Sequence, residues 1–322
     1  MISSAFILSS FIFTDPVKFD ADDPAFAYNS NQPERSLILG TDKQEKTGAL
    51  YAFGLSGKVA FKSAPLDRPN NVDVLQGSQS PMDQSPLAVV TERLQNRLKV
   101  FRVNWSGEML TDVTGSTEVF ASETGEDRAP MGVAIWSHEG KAFAFVTPKA
   151  GQTTRHLEQL HLKWNPISNK VDAVSVRRFG CFSGKKETES IVVDSETGRV
   201  FYSDEGNGIW VYDARPEAVD RPLMLIRNPL HLGDHEGLAI LGDLLVSTDQ
   251  RKGRSYYWFY DKRSGIPRGG FSAEIDETDG IDIIDRPGVR LMAAMNSKGK
   301  NFALLPLDWV QKQVGRYPIG RD

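Results

Sequence analysis

Short runs of β-branched and aromatic residues, separated by clusters of Asp, Glu, Gly, Asn and Ser, recur along almost the whole chain. Residues 187–213 show the unit most clearly. Ser190-Ile191-Val192-Val193 reads as a strand, and Asp194-Ser195-Glu196-Thr197-Gly198 carries the residue types of a turn. Arg199-Val200-Phe201-Tyr202-Ser203 returns antiparallel, Glu205-Gly206-Asn207-Gly208 reverses the chain again, and Ile209-Trp210-Val211-Tyr212 makes a third strand. Because the second strand runs against the first, Glu205 at the end of one and Glu189 at the start of the other fall at the same edge of the unit.

The pattern repeats. Second strands end in a polar step at Thr41-Asp42-Lys43, Thr91-Glu92-Arg93, Thr147-Pro148-Lys149, Ser203-Asp204-Glu205, Ser247-Thr248-Asp249 and Met295-Asn296-Ser297. First strands carry their own signatures, among them Asp22-Asp23-Pro24-Ala25, Asn70-Asn71-Val72-Asp73, Pro130-Met131-Gly132-Val133, Asp234-His235-Glu236-Gly237 and Glu277-Thr278-Asp279-Gly280. Third strands are rich in aromatic and β-branched residues, as in Tyr256-Tyr257-Trp258-Phe259-Tyr260, and outermost strands are weaker, as in Lys58-Val59-Ala60-Phe61. Successive units start roughly 43 to 58 residues apart, the period of propeller blades. The only helical pattern is short and terminal, over residues 307–314. These features predict an all-β fold, one six-bladed β-propeller domain of four-stranded antiparallel blades over residues 1–322. Radial closure is favoured over an open solenoid because it leaves no large unpaired edges.

In such a ring the start of every first strand and the end of every second strand meet at one mouth. The second-strand positions in blade order are Lys43, Arg93, Lys149, Glu205, Asp249 and Ser297, and first-strand positions add Asp22, Asp23, Asp73, Glu189, Asp234, Glu236 and Asp279. One half is cationic and the other acidic. Each residue alone is more commonly a solvated strand-end charge; what sets them together is that they sort by blade. Crowded carboxylates repel one another unless a cation lies among them, and an all-oxygen donor set suits a hard ion, above all Ca²⁺. Zinc is disfavoured, since only His235 offers nitrogen there. Lys43, Arg93 and Lys149, converging separately, suit phosphate groups. Metal with phosphate points to phosphoryl chemistry, with a metal-activated water as nucleophile. No GxSxG elbow or nucleophile triad competes.

Composition narrows the partners. With 40% hydrophobic and 25% charged residues the chain is an ordinary globular sequence, and a net charge of −4 gives no reason to expect nucleic acid. The single Cys181, flanked by Gly180 and Phe182, excludes an intrachain disulfide and reads as a buried thiol. The apolar opening, within residues 1–19, is either a first strand or the remnant of an export signal, for it has no basic residue before it and no clear cleavage site. No other stretch is long enough to span a membrane. A monomer is the fold-level expectation.

The chain resembles the β-propeller phytases, the calcium-dependent alkaline phytases of bacteria. The resemblance runs in order through Asp20-Ala21-Asp22-Asp23-Pro24-Ala25, Asn70-Asn71-Val72-Asp73, Thr188-Glu189, Ser203-Asp204-Glu205, Gly208-Ile209-Trp210, Glu236-Gly237-Leu238, Thr278-Asp279-Gly280-Ile281-Asp282 and Asn301-Phe302. It implies hydrolysis of phytate, myo-inositol hexakisphosphate, by a secreted or periplasmic enzyme that uses several Ca²⁺ ions and grips a second phosphate nearby. By the same resemblance Lys43, Arg93 and Lys149 bind substrate phosphates, Asp22, Glu189, Glu205, Asp234 and Glu236 carry the catalytic calcium ions, and Asp23, Asp279 and Asn301, with the backbone near Val72, hold a structural one. Among these Glu189, Asp234 and Glu236 are the candidate catalytic residues, and Asp73 joins the metal set. Two positions depart from the family pattern. Met131 replaces a Tyr and Ala150 an acid, and a thioether can neither donate to phosphate nor ligate Ca²⁺ as a phenol oxygen does. A catalytically weak propeller that binds a phosphorylated ligand or partner at the same mouth is the alternative these departures favour. A lactonase-like propeller with one channel calcium ranks below it, because it leaves Lys43, Arg93 and Lys149 without a role.

Overall fold

Alternation of side chains along a strand puts successive residues on opposite faces, so a sheet with both faces apolar must be covered twice. The sheets of this protein meet that demand by packing on each other in a ring. The computed structural model describes residues 11–80 and 85–314. It contains six four-stranded antiparallel sheets, each with its strands in sequence order except the last. Blade one comprises Ala21–Ala27, Leu37–Asp42, Ala49–Gly54 and Val59–Lys62. Blade two comprises Pro69–Leu75, Leu87–Glu92, Arg97–Val103 and Leu110–Asp112. Blade three has the longest strands, Pro130–His138, Lys141–Pro148, Thr154–Asn165 and Lys170–Cys181. Blade four is Ile191–Asp194, Arg199–Asp204, Gly208–Asp213 and Met224–Ile226. Blade five is Asp234–Leu241, Leu244–Gln250, Tyr256–Asp261 and Pro267–Ser272. The predicted propeller is therefore the observed fold.

Blade six takes only three strands from the end of the chain, Ile281–Arg286, Val289–Asn296 and Asn301–Pro306. Its outermost strand is Ile12–Phe13, paired antiparallel with Ile12 opposite Leu304 and Phe13 opposite Ala303. Thr14 extends the seam: its N–H donates to the Phe302 carbonyl at 2.9 Å and its Oγ1 accepts from the Phe302 N–H at 3.0 Å. The apolar opening thus enters the described residues as a strand, while residues 5–10 lie outside them. The predicted terminal helix is Leu307–Gln311, and its Trp309 packs edge-on against Phe11 and Phe271. No helix of the described residues is long and apolar enough to cross a membrane.

The hydrophobic core is divided among the six gaps between neighbouring blades. In Arg199–Asp204, Val200 and Tyr202 pack toward blade three with Trp136, Phe145 and Phe179. Phe201 points the other way, onto Leu238, Leu245 and Tyr260 of blade five. Every blade is held by both faces, and the first strands contact their neighbours around the axis. The approach is closest where Gly132 faces blade four: a Cβ on Gly132 would stand 1.9 Å from the Glu189 carbonyl oxygen. Gly132→Ala should therefore destabilise the fold by about 1–3 kcal/mol through overpacking. The check is a denaturation midpoint; an unshifted midpoint would show that the two blades are not packed so closely.

Candidate active site

Four of the six inner strands open with the same device. The backbone N–H of the second mouth residue donates to a hydroxyl on strand two: Asp23 to Thr41 Oγ1 at 3.0 Å, Asn71 to Thr91 Oγ1 at 3.0 Å, Gly132 to Thr147 Oγ1 at 2.9 Å and Ser190 to Ser203 Oγ at 3.1 Å. In blades one, two, three and five the strand pairing also shifts register there, a bulge that re-aims side chains. The residue just before this anchor, or before Gly237 and Gly280, whose N–H groups donate instead to the Asp279 and Asp22 carbonyls, is Asp22, Asn70, Met131, Glu189, Glu236 or Asp279, one from each blade, and these six form the innermost ring of the mouth.

The second ring lies at the exits of the second strands. Blade five corrects the sequence reading by one residue: Gln250, not Asp249, occupies the mouth position. Asp234 pairs with Gln250 and His235 with Asp249. The Asp249 carboxylate turns back into the blade, accepting from the Gly233 N–H at 2.7 Å, the Leu232 N–H at 3.2 Å and Trp258 Nε1 at 3.1 Å. Its counterparts behave alike. Asp42 accepts from the Asp20 N–H at 2.8 Å, Glu92 from the Asp67 N–H at 3.0 Å, and Asp204 from the Ser183 N–H at 2.8 Å and Trp210 Nε1 at 3.0 Å. These acids clamp the loop that enters the blade, and the residue after each reaches the mouth. The mouth ring is thus Lys43, Arg93, Lys149, Glu205, Gln250 and Ser297.

Charge is distributed unevenly around it. Lys43 Nζ bridges Asp22 Oδ1 at 2.7 Å and Asp279 Oδ2 at 3.1 Å, joining blade one to blade six. Burial alone would lower the Lys43 pKa, but Asp22, Glu189 and Asp279 together hold it well above its usual value. Asn70 Nδ2 donates to Asp22 Oδ2 at 3.3 Å and to Glu189 Oε1 at 3.2 Å. On blades four and five, Glu205, Asp234 and Glu236 offer carboxylate oxygens all within 4.8 Å of one another, and Glu187, Glu189 and Glu205 do the same. Glu205 belongs to both sets. Burial first, then repulsion from Glu189 and Asp234, pushes Glu205 up to about 8. Burial and neighbouring carboxylates, Glu205 foremost, likewise raise fully buried Glu236 well above the usual range. Glu236 Oε2 is buried without a hydrogen-bond partner. No imidazole nitrogen joins either acidic set. His235 is held neutral, pushed down to about 3 by burial and by His231 stacked on it.

Opposite stand the cations. Lys149 is lowered by burial and by the neighbouring Arg93 charge, so the two repel one another across a gap that an anion would fill. Lys149 touches Glu187, and Lys186, which the sequence reading passed over, touches Asp234. Buried Met131 completes the inner ring with only a thioether between Asn70 and Glu189. His156 lies behind the mouth, with Nε2 2.7 Å from Thr188 Oγ1, and so braces the residue before Glu189.

Below the mouth a cavity of about 40 Å³ on the axis is lined by Asp23, Asn71, Asp73 and Asp282. Asp23 accepts from the Val72 N–H at 3.0 Å. Asp73 accepts from Val74 at 2.6 Å and Ile135 at 2.7 Å, and Asp282 from Ile283 at 2.7 Å and Phe26 at 2.8 Å. These carboxylates pin one blade to the next; burial raises Asp73 to about 6 and Asp282 to about 7. Asn301 sits at the closing seam, bonded to the Thr14 carbonyl at 3.2 Å and Asn296 Nδ2 at 2.8 Å.

The arrangement can hold hard cations between blades four and five and anions along blades one to three. Comparison with known proteins points the same way. The 3-phytase of Bacillus subtilis (strain 168) is 26% identical over 298 residues, which cover 84% of this chain and 72% of that protein. A family model described as Phytase matches residues 6–293, nearly the full propeller, and the chain belongs to that family of enzymes.

Proposed function

We propose that the mouth hydrolyses phytate to lower inositol phosphates and inorganic phosphate, with Ca²⁺ as cofactor and water as nucleophile. One observation carries this reading: two sets of carboxylates that share buried Glu205 stand beside the mutually repelling cations Arg93 and Lys149. The donor set fits a hard cation, for it is all oxygen, and the unpartnered Oε2 of Glu236 and the raised pKa of Glu205 both mark charge that the protein itself leaves uncompensated. Glu189, Glu205, Asp234 and Glu236 would hold the catalytic ions, with Asp22 within reach through Asn70 and Lys43. Bound there, Ca²⁺ would polarise the phosphoryl oxygens and make a water more acidic.

The chain's own residues then have distinct tasks. Arg93 and Lys149 take the phosphate oxygens, and Lys43 holds Asp22 and Asp279 in place while adding positive charge at the edge of the acidic set. Hydrolysis adds water across the phosphorus–oxygen ester bond; the water oxygen ends on phosphorus and the ring oxygen leaves with a proton. We assign Asp23 and Asp279, with the backbone at Val72, to a structural calcium. Asp73 and Asn301 would join them; all four side chains already have protein partners, so binding the metal would mean exchanging some of these. The reading extends to a monomer working outside the cytoplasm.

Two outcomes check this. Phosphate release from phytate at neutral to mildly alkaline pH should require Ca²⁺ and cease with excess chelator, and Glu236→Gln should lower kcat on the order of a hundredfold while the protein stays folded. Absence of release at saturating Ca²⁺, with ligand binding retained, would select the binding propeller that Met131 favours.

A third outcome concerns pH. A folded-state pKa of about 8 at Glu205, against an ordinary 4.5, means that the metal-free protein is most stable while that carboxyl keeps its proton. That contribution is complete below the ordinary value and lost as pH rises through about 8. The melting temperature of the metal-free protein should therefore fall from mildly acidic to mildly alkaline pH, and Ca²⁺ should restore it. Calorimetry in two buffers of different ionisation enthalpy should register proton release on Ca²⁺ binding near pH 7; buffer-independent heats would remove Glu205 from the site.

A further inference from the structure

Two acids of the innermost ring, Glu189 and Asp279, stand where the strand pairing no longer reaches. In blades one, two, three and five a ladder pair lies on the mouth side of the bulge: Ala21 with Asp42, Pro69 with Glu92, Pro130 with Pro148, and Asp234 with Gln250. In blades four and six the ladder starts only at Ile191 and Ile281. The head of blade four keeps the bond from the Glu205 N–H to the Glu187 carbonyl at 3.1 Å, one main-chain bond where an antiparallel pair has two. In both blades a side chain of the preceding blade reaches the residue just before the acid. These residues are Thr188 and Thr278, both fully buried. The Thr188 hydroxyl lies 2.7 Å from His156 Nε2 on the third strand of blade three, and the Thr278 hydroxyl 2.9 Å from the Tyr257 hydroxyl on the third strand of blade five.

The strand that carries His156 is bent to aim it there. Pairing of the third and fourth strands of blade three shifts register between Thr154 and Leu157, and Arg155 takes the left-handed region at φ 55° although it is not a glycine. Side-chain alternation is broken, so that His156 and Leu157 are both buried. Backbone of this kind persists where the surroundings hold it. Phe182 stacks on the imidazole with ring centroids 4.4 Å apart, the Gln152 carbonyl lies 3.2 Å from Nδ1, and Thr188 meets Nε2. Because a carbonyl can only accept, Nδ1 carries the hydrogen, and Nε2 is left to accept from the Thr188 hydroxyl. Burial pushes the His156 pKa down to about 4, so the ring is neutral and this direction of donation is kept. Gln152 belongs to the loop that follows Lys149. One buried imidazole therefore ties the segment that carries a mouth cation to the segment that carries a mouth carboxylate.

We propose that His156 is a positioning residue of the mouth: through Thr188 it fixes where Glu189 stands, and through Gln152 it fixes the spacing between Glu189 and Lys149. The assignment depends on the proposed role of Glu189 in holding Ca²⁺. With the ladder one bond short at the head of blade four, the hydroxyl–imidazole bond supplies the restraint that pairing supplies elsewhere. Removing it leaves a buried Nε2 unpartnered and gives the head of the strand play, and a carboxylate that is out of place binds a cation less tightly. His156 itself touches neither cation nor substrate; its effect passes through the two segments it joins.

The test uses the full chain as wild type, Thr188→Val, His156→Phe, His156→Gln and the double variant of Thr188→Val with His156→Phe. Glu189→Gln marks which Ca²⁺-binding step depends on that carboxylate. Ca²⁺ affinity is read by calorimetry without substrate, and kcat and KM are read on phytate at saturating Ca²⁺, in protein whose fold is checked by circular dichroism. Thr188→Val should weaken the marked step about three- to tenfold and lower kcat by a similar factor, with KM within about twofold. His156→Phe keeps the stack on Phe182 but frees Gln152 as well, so it should also raise KM. The double variant should lose no more than His156→Phe alone, because both changes remove the same bond to Thr188. His156→Gln, which keeps an acceptor for the hydroxyl, should regain part of the affinity. A purely structural role would lower the melting temperature and leave Ca²⁺ affinity, kcat and KM alone; that result, or additive losses in the double variant, would overturn the proposal. Should wild type bind Ca²⁺ yet release no phosphate, the functional reading falls and the affinities still decide the brace. No Ca²⁺ binding by wild type would overturn both.

Discussion

Radial closure puts the head of every inner strand around one axis, and the side chain at that position has no freedom to face anywhere but its five counterparts. In this chain four of the six are carboxylates, Asp22, Glu189, Glu236 and Asp279, with Asn70 and Met131 between them. The blades are pressed together by apolar packing in every gap, so the ring cannot widen to separate like charges. The mouth must handle its repulsion chemically. On the blade-one side it does so with protein, through Lys43 and Asn70. On the side of blades four and five no lysine bridges two inner-ring carboxylates among the described residues, and Glu236 Oε2 stays without a partner; burial raises the carboxyls on both sides, Asp22 and Asp279 as well as Glu205 and Glu236.

The seam where the chain closes lies on the compensated side. Lys43 from blade one bridges Asp22 of its own blade and Asp279 of blade six, just above the place where Asp282 accepts from the Phe26 N–H. At the outer edge Ile12–Phe13 and Thr14 close blade six on itself, joining the start of the chain to its last strand. Residues 14–20 carry the chain from the outermost strand of blade six to the first strand of blade one, so the break that pairing alone closes lies inside blade six, between Ile12–Phe13 and Asn301–Pro306.

Much of this was legible in the sequence, for physical reasons. Strand and turn chemistry repeats because every blade solves the same packing problem, so the six units and the sorting of charge by blade could be read from residue types alone. What the sequence reading missed at blade five is instructive. Asp249 ends a strand and is acidic, as a mouth ligand would be, but Asp42, Glu92 and Asp204 are acids one step before the mouth residue in their own blades. The repeat therefore held the signal that Asp249 is a loop clamp and Gln250 its mouth-facing neighbour. Asp73 and Asp282 were less tractable. A bulge breaks the alternation of side chains at the head of an inner strand, so the pattern does not say whether an acid beyond it meets the mouth, the axis or a neighbouring backbone amide.

The Met131 position shows how the departures from the family pattern can be weighed on the geometry. Met131 stands between Asn70 and Glu189, on the border of the anionic and cationic halves, and its carbonyl accepts from Thr91 Oγ1 at 2.7 Å. Its backbone therefore keeps the inter-blade register that the other ring residues keep, and only the side-chain donor is lost. Arg93 and Lys149, which flank it from the second ring, retain their placement and their mutual repulsion. An anion held there loses one neutral partner and keeps two charged ones, which are the stronger hydrogen-bond donors. On the proposed function, Met131 would therefore affect how tightly and in which orientation a phosphate is held. The acidic cluster on blades four and five, where the cofactor is proposed to act, is built from other residues.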